Sequence, residues 1–260
     1  MTPPVLDITD LSATYMEDGR QLLALQHVNI RVQPGEFVCL IGPSGSGKST
    51  LLDIISGLFA ETHGTLAIDG KVLTPSQRPG ATSYMRQRDL LMPWRNALEN
   101  AALALEVHGY SPAEARDRAA ARFEEFGLAG FEQSYPAQLS GGMRQRVAFL
   151  RTVLADRDLL MLDEPFGALD ALNRAALQQW LVRMWEHQKQ GVVMVTHDVD
   201  EAVFLADRVI VLSARPGTVV HEEIINLSRP RTRAMVTAPT FLAHRAVLLD
   251  ALGLLEEVGV

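Results

Sequence analysis

The feature that most constrains this chain is a glycine-rich loop that separates an apolar run from an amphipathic run. The loop reads Gly42-Pro43-Ser44-Gly45-Ser46-Gly47-Lys48-Ser49-Thr50. Residues 37–41 before it predict a strand, and residues 51–55 after it predict a helix. A helix N-terminus presents unpaired backbone N–H groups and the positive end of the helix dipole. The order strand, loop, helix therefore predicts a phosphate-binding loop.

The residue types within the loop fit that chemistry. Glycines at 42, 45 and 47 let the backbone approach an anion without Cβ clashes. Lys48 is placed to reach terminal phosphates and Ser49 to ligate the magnesium that bridges them, while Thr50 adds a second hydroxyl. A tight turn with an incidental lysine is the alternative, but the full G-x-x-x-x-G-K-S pattern in its strand-to-helix context argues against it.

Chain length and charge narrow the choice of function. With 260 residues, the chain can form one sizeable α/β domain or a core that carries an inserted lobe, and we expect the second. The net charge of −7 argues against a general nucleic-acid binder, which would show a concentrated basic surface. The only cysteine, Cys39, lies in the apolar run, which predicts a buried thiol without a disulfide and a reducing cytoplasm.

The sequence carries no export or membrane signal that we recognise. The N-terminus lacks the basic start and apolar core of a secretion signal, so we expect no export. Apolar runs stay well short of the roughly 18 residues that cross a bilayer. If the function concerns a membrane, we expect another chain to span it.

The first 38 residues predict several short antiparallel strands, at 5–8, 11–15 and 23–32, with breaks at Asp18-Gly19 and 33–35. Tyr15 ends one of these strands just before a turn. Its ring could stack on an adenine base if it is exposed there. The alternative is the half-buried packing that is usual for a strand tyrosine.

A helix to about Gly57, a short strand with a turn over 64–71 and a strand over 81–85 follow the phosphate loop. Gln87 comes just after the strand that ends at 85, where it could reach a metal or its water, whereas an isolated glutamine would lie on the surface. The run Leu90-Leu91-Met92-Pro93-Trp94 is either a partner contact or a loop packed onto the domain.

Residues 96–131 predict helices only, which indicates a separate lobe inserted in an α/β chain. One helix is expected over 97–107 and another over 112–126, with Ser111 as N-cap. Ser140-Gly141-Gly142 then opens a helix that runs to about Leu154. A capped helix is one reading of that start. With a complete phosphate loop in the same chain, the other reading is a second anion site for a nucleotide held by another copy.

Two apolar strands end in side chains suited to phosphate chemistry. In the first, over 158–165, Asp163 would hold the magnesium shell and Glu164 would polarise the water that attacks the terminal phosphate. Asp170 follows, as the cap of a helix over 171–190 or as a contact to another subunit. After the second strand, over 192–196, His197 could hydrogen-bond the terminal phosphate, with satisfied packing as the alternative.

The end of the chain predicts strands over 208–212 and 218–222 and a helix over 238–252. The arginines at 229, 231 and 233 are expected to form a solvated surface. We expect a nucleotide-binding core with an N-terminal β subdomain over 1–95 and 156–226, a helical subdomain over 96–155 and a tail over 227–260.

As a set, these motifs resemble the ATP-binding subunits of ABC transporters, over about residues 5 to 225. The matching motifs are Walker A (Gly42 to Thr50), Walker B (Leu159 to Glu164), the signature (Leu139 to Met143, where glutamine is common at the last position), the Q-loop (Gln87), the D-loop (Asp170), the switch histidine (His197) and the A-loop (Tyr15).

The resemblance implies an α/β fold: a RecA-like P-loop NTPase core with a mixed sheet flanked by helices, an antiparallel β subdomain and an inserted α-helical subdomain. It implies ATP hydrolysis with Mg²⁺, catalysed by Glu164, His197 and Lys48, in a head-to-tail dimer that sandwiches ATP between Walker A of one copy and the signature of the other. An isolated monomer should hydrolyse ATP poorly. Two transmembrane permease subunits would dock near the Gln87 loop and the helical lobe, on the cytoplasmic side of the membrane, with an extracytoplasmic solute-binding protein as an indirect partner.

Within this family, residues 88–96 and 166–170 resemble importers for nitrate, sulfonates, taurine and thiamine-precursor pyrimidines, and residues 84–89 lean to the pyrimidine branch. A P-loop phosphotransferase is the second class, although it would not need the signature or His197. A GTPase lacks support because no Asn-Lys-x-Asp motif occurs. Relatives that act on DNA or ribosomes usually carry a long coiled coil or two nucleotide domains, and exporters are often fused to membrane spans.

Overall fold

The computed structural model describes residues 2–17, 19–167, 169–188 and 190–254. Its larger sheet has six strands in the order β10-β9-β3-β8-β7-β6, and all are parallel except β10. The strands are β3 (Phe37–Ile41), β6 (Ser83–Met85), β7 (Leu159–Asp163), β8 (Gly191–Val195), β9 (Arg208–Leu212) and β10 (Val219–Ile224). Strands β3, β7 and β8 are buried at every position, as expected for parallel strands covered on both faces.

A smaller antiparallel sheet has the strand order β2-β1-β4-β5. Its strands are β1 (Leu6–Glu17), β2 (Arg20–Val32), β4 (His63–Ile68) and β5 (Lys71–Val72). The prediction of several short strands was wrong here, because β1 and β2 form one long hairpin. Asp10 and His27 adopt positive φ angles of 53° and 50°, and the pairing register shifts nearby. Such bulges interrupt the alternation without ending the strand. Of the predicted break at Asp18-Gly19, Asp18 lies outside the described residues.

Seven α-helices occur among the described residues: α1 (Lys48–Ile55), α2 (Ala97–Val107), α3 (Pro112–Ala120), α4 (Gly141–Val153), α5 (Ala171–Gln188), α6 (Val199–Leu205) and α7 (Pro239–Ala251). The predicted cap is confirmed, since Ser111 accepts from Glu114 N at the start of α3. The predicted end of α3 at 126 was wrong. After Ala120, Arg122 N and Phe123 N donate to carbonyls three residues earlier and Phe126 N to one four residues earlier. These irregular turns place Phe123 and Phe126 in the core.

Two hydrophobic cores lie on the two faces of the six-stranded sheet. Along β3, Phe37, Cys39 and Ile41 face the core that contains the helices α2 and α4, and Val38 and Leu40 face the core shared with α1 and the antiparallel sheet. The buried thiol predicted for Cys39 is confirmed, and burial raises its pKa. None of the helices in the described part of the chain is long and apolar enough to cross a membrane.

The prediction that the arginines at 229, 231 and 233 form a solvated surface was wrong for the first two. Arg231 is buried and donates to the carbonyls of Val203 and Phe204 at the end of α6, while Arg229 donates to Leu205 O and pairs with Asp207 at 2.7 Å. The last carbonyls of a helix lack partners within it, so arginines from another segment satisfy them. Burial lowers the pKa of Arg231 to about 10.

Candidate functional site

A cavity of about 440 Å³ lies at the carboxyl ends of the parallel strands. The loops after β3, β6, β7 and β8 supply most of its lining, because parallel strands end at the same sheet edge. The lining residues are Tyr15, Ala24, Gly42, Ser44, Gly45, Ser46, Gly47, Lys48, Ser49, Thr50, Gln87, Glu164, His197 and Arg215. The predicted phosphate loop and three of the predicted polar side chains therefore surround one space.

Two glycines of the loop sit where a Cβ would lie too close to a neighbouring strand. Gly47 has φ +89°, and a Cβ there would lie 2.7 Å from the side chain of Leu25. A Cβ on Gly42 would lie 2.7 Å from the carbonyl oxygen of Leu212. Gly45 also has a positive φ, of 78°. The glycines therefore serve both the backbone conformation and the close approach of neighbouring strands.

Lys48 places its ammonium at the centre of the loop. Its Nζ donates to Gly42 O at 2.8 Å, Pro43 O at 2.9 Å and Ser46 Oγ at 3.1 Å. Burial lowers the pKa of Lys48, and the carboxylates of Asp163 and Glu164 oppose that shift. A buried cation whose partners are mostly neutral carbonyls is suited to neutralise an anion held by the loop.

Ser49 and Asp163 are joined by a hydrogen bond, in which Ser49 Oγ donates to Asp163 Oδ1 at 3.2 Å. Asp163 is buried, and this burial raises its pKa, while the hydrogen bond from Ser49 lowers it. Mg²⁺ prefers hard oxygen ligands, and the Ser49 hydroxyl and the Asp163 carboxylate place two such oxygen atoms side by side. A divalent cation would also favour the ionised form of Asp163, so these residues fit a magnesium ion.

Two side chains contact the Glu164 carboxylate in the cavity. Gln87 Nε2 donates to Glu164 Oε2 at 2.9 Å, and His197 Nδ1 lies 3.4 Å from the same oxygen. Glu164 itself adopts φ +46°, in the left-handed region, and its N–H donates to Val195 O on the neighbouring strand. Backbone conformations of this kind in non-glycine residues cluster at functional sites.

Tyr15 and Arg215 lie on the other side of the cavity. The Tyr15 ring is half-buried and contacts Phe59 edge-on, with centroids 6.4 Å apart. Arg215 lies with Cζ 5.9 Å from the Tyr15 ring centroid, and its Nε donates to Gly45 O at 3.4 Å. The strands predicted over 208–212 and 218–222 place Arg215 in the turn between them, with no role at the site. Because β9 pairs with β3, that turn lies beside the phosphate loop, and strand order is the signal that would have found it.

Several predicted site residues do not line the cavity. Pro43 and Asp163 connect to it through Lys48 and Ser49. Ser140, Gly141, Gly142 and Asp170 lie elsewhere: Ser140 Oγ accepts from Met143 N, and Asp170 Oδ1 accepts from Leu172 N and Asn173 N. The capping readings of Ser140 and Asp170 are therefore confirmed. Gly142 packs near Leu169, so the two capped helix starts are neighbours.

Known proteins resemble this chain over most of its length. A family model described as ABC transporter matches residues 25–167. The nitrate import ATP-binding protein of Synechocystis sp. is 44% identical over 85% of this chain and 83% of its own. The aliphatic sulfonates import ATP-binding protein of Bacillus cereus is 42% identical over 94% of each chain.

A solved structure is similar as well. A dimeric ATP-binding cassette in a post-hydrolysis state, bound to ADP and phosphate, superposes with a TM-score of 0.76 and 32% identity over 86% of this chain and 100% of that one. The mixed sheet, the antiparallel sheet and the helices therefore form the α/β fold of P-loop NTPases, as predicted. The chain belongs to the ABC transporter family, as a subunit that binds and hydrolyses ATP.

Proposed function

We propose that this chain powers an importer for nitrate, aliphatic sulfonates or a related small solute, as an ATP-driven dimer docked on two membrane permease subunits at the cytoplasmic face. The names of the nitrate and sulfonate relatives support the solute class. Taurine and thiamine-precursor pyrimidines stay within the proposed range. The observation that carries the ATPase role is the contact of Gln87 and His197 with one oxygen of Glu164, beside a complete phosphate loop.

In this proposal, the loop from Gly42 to Thr50 holds the phosphates and Tyr15 stacks on the base. Lys48 balances the charge of the terminal phosphates. Glu164 accepts the proton of the attacking water, because its carboxylate lines the cavity whereas that of Asp163 does not. His197 donates to the terminal phosphate from the same side, and this donation links the state of the phosphate to the position of β8.

Ser49, Asp163 and Gln87 would hold Mg²⁺. When bound, this ion neutralises charge on the phosphate oxygens during transfer. The hydrogen bond between Ser49 and Asp163 supports the first two assignments, since it brings their oxygen atoms together. Gln87 is assigned because its amide lines the cavity and its oxygen is not used in the bond to Glu164.

We further propose that Ser140, Gly141, Gly142 and Asp170 act on the nucleotide of a second copy. Two observations support this arrangement: none of the four residues lines the cavity of its own chain, and the similar cassette was solved as a dimer. A single chain would then hold half of each active site.

The segment 86–95 is proposed as the contact with the permeases, which connect in turn to the extracytoplasmic solute-binding protein. Trp94 is 70% exposed and Leu90 is 50% exposed, which leaves two large apolar side chains on the surface. Arg151 donates to Asp89 O and Leu90 O, at 2.7 and 2.9 Å, so the segment is held in a defined shape. Gln87 lies in the same segment, and this links the docking surface to the nucleotide.

The proposed division of the chain follows these roles. Residues 1–95 and 156–226 form the nucleotide-binding core with its β subdomain, residues 96–155 form the helical subdomain, and residues 227–260 form the tail. Helices α2, α3 and α4 all lie within the helical subdomain, 96–155.

The test of the dimer uses Glu164→Gln, which should bind ATP without hydrolysing it. Size-exclusion chromatography with light scattering should show a monomer alone and a dimer with ATP and Mg²⁺. Glu124→Gln, an exposed glutamate of the helical region, is the matched control and should not accumulate as a dimer because it still hydrolyses ATP. Glu164→Gln that binds ATP and stays monomeric would contradict the sandwich. For the solute, deletion of the gene should abolish growth of the source cell on nitrate or a sulfonate as sole source, or on a thiamine-precursor pyrimidine as the source of thiamine. Normal growth on all three would contradict the proposed class.

A further inference from the structure

We propose that Glu201 and Thr196 position His197 for its role at the terminal phosphate, and that Arg233 ties the C-terminal segment to this pair. The proposal rests on the function proposed for His197 and adds the residues through which its position is set. None of these three residues lines the nucleotide cavity, so each would act through another residue.

The backbone, more than packing, positions the His197 side chain. Its side chain is 65% exposed, and its Nδ1 lies 3.4 Å from Glu164 Oε2. Packing therefore does little to orient the imidazole. Its place depends on the backbone at residues 196–198, where the chain leaves β8 and enters α6.

The Thr196 hydroxyl fixes this backbone on both sides of His197. Thr196 Oγ1 donates to Glu201 Oε2 at 2.6 Å and accepts from Asp198 N at 3.1 Å. Asp198 Oδ1 in turn accepts from Glu201 N and Asp200 N at the start of α6. The residues before and after His197 are thus joined to each other and to the first turn of the helix.

Glu201 anchors the backbone at residues 196–198 to the protein interior. The carboxylate is only 7% exposed, and its other oxygen accepts from Gln178 Nε2 of α5 at 2.9 Å. Burial raises the pKa of Glu201, and the hydrogen bond from Thr196 opposes that shift. A buried polar network of this kind favours one geometry, since an unpaired member would be costly. Arg174 Nε lies 3.8 Å from the same carboxylate, and Arg174 also donates to Leu169 O, next to Asp170.

Arg233 connects the C-terminal segment to this network through Gln178. Arg233 Nη2 donates to Gln178 Oε1 at 2.8 Å, and its Cζ lies 5.3 Å from the Phe204 ring centroid. The amide of Gln178 therefore accepts from Arg233 and donates to Glu201. Movement of the segment around Arg233 would reach His197 through three hydrogen bonds: Arg233 to Gln178, Gln178 to Glu201, and Glu201 to Thr196.

The main test compares Thr196→Val, which removes the hydroxyl at nearly constant shape, with Thr196→Ser, which keeps it. In the full-length protein, Thr196→Val should lower kcat for ATP about tenfold and leave KM within about twofold, and Thr196→Ser should restore most of the rate. Glu201→Gln, which cannot accept both hydrogen bonds, should lower kcat about fivefold. Unchanged kcat in both Thr196→Val and Glu201→Gln would overturn the proposal.

A double-mutant cycle separates positioning from a merely structural role. If Thr196 acts through His197, Thr196→Val should cost almost nothing in a His197→Ala background. An equal fall of kcat in both backgrounds would overturn the proposal. Full turnover by His197→Ala would instead refute the proposed role of His197 itself, and the inference would fall with it.

A second readout does not depend on turnover. In histidine-labelled protein, the His197 imidazole resonance is identified by its loss in His197→Ala. Thr196→Val and Glu201→Gln should shift or broaden that resonance, whereas a resonance that is unchanged in both would overturn the proposal.

The tail contact has its own matched control. Arg233→Ala should lower kcat about threefold. Arg245→Ala removes another tail arginine, whose Nε pairs with the side chain of Asp200 at 3.0 Å and not with Gln178, and should leave kcat unchanged. Equal effects of the two variants would contradict the assignment to Arg233.

Discussion

Gln87 and Glu164, which line one cavity with the phosphate loop, are joined by a hydrogen bond of 2.9 Å from the glutamine amide to Oε2. His197 lies 3.4 Å from the same oxygen. Three neighbouring parallel strands, β6, β7 and β8, thus end in side chains that converge on one carboxylate. The segment proposed to contact the permeases and the histidine proposed to sense the phosphate thus meet at the carboxylate proposed to activate water.

The first prediction concerns Glu164→Gln. The amide can still accept from Gln87 but cannot take a proton from water, so ATP affinity should stay within about threefold and kcat should fall at least about 100-fold. Isothermal titration and a phosphate-release assay measure the two quantities. Rapid hydrolysis by this variant would refute the role of Glu164.

Lys48→Ala should lose both binding and turnover. The ammonium at the centre of the loop has no replacement there, so the Kd for ATP should rise at least about 100-fold. Lys71→Ala, which removes an exposed lysine from β5, is the matched control and should bind ATP normally. Unchanged nucleotide affinity in Lys48→Ala would count against the assigned role.

Asp163→Asn should stabilise the protein in the absence of nucleotide. Burial raises the pKa of Asp163, so the stability it contributes is present below its unfolded pKa and is lost as pH rises through the folded pKa. The amide removes this loss and can still accept from Ser49, and we expect a Tm about 2 °C higher at pH 7.

The same variant should lose magnesium-dependent hydrolysis, and its advantage in Tm should narrow as pH is lowered toward the raised pKa. Thermal denaturation without nucleotide or Mg²⁺ at several pH values measures this difference. A lower Tm for Asp163→Asn at pH 7 would contradict the argument from burial.

Arg231→Ala should destabilise the fold by about 2 kcal/mol, because two carbonyls at the end of α6 would lose their buried donor. Urea denaturation measures the change, and Arg20→Ala, at an exposed position of β2, is the control. An equal effect of the two substitutions would show that the C-terminal segment adds nothing through Arg231.

The phosphate loop was predictable because its chemistry lies in nine consecutive residues. Glu164, His197 and Gln87 were predictable because each follows a strand, and parallel strands end at one edge. Arg215 was not, since its approach to Tyr15 and Gly45 depends on which strand lies beside β3. The burial of Arg231 was missed because a run of arginines suggests solvent, whereas its partners are unpaired carbonyls that only the packed helix presents. The early end of α3 was missed because the irregular turns after it bury Phe123 and Phe126 as a longer helix would.

The most direct test of the central claim, an active site shared between two copies, mixes two inactive variants. Lys48→Ala destroys the phosphate loop, and Ser140→Arg blocks the signature. A head-to-tail dimer of one copy of each would contain one intact site, formed by Lys48 of one chain and Ser140 of the other. We expect each variant alone to be inactive and the mixture to hydrolyse ATP at a substantial fraction of the wild-type rate. A mixture as inactive as its components would contradict the shared site.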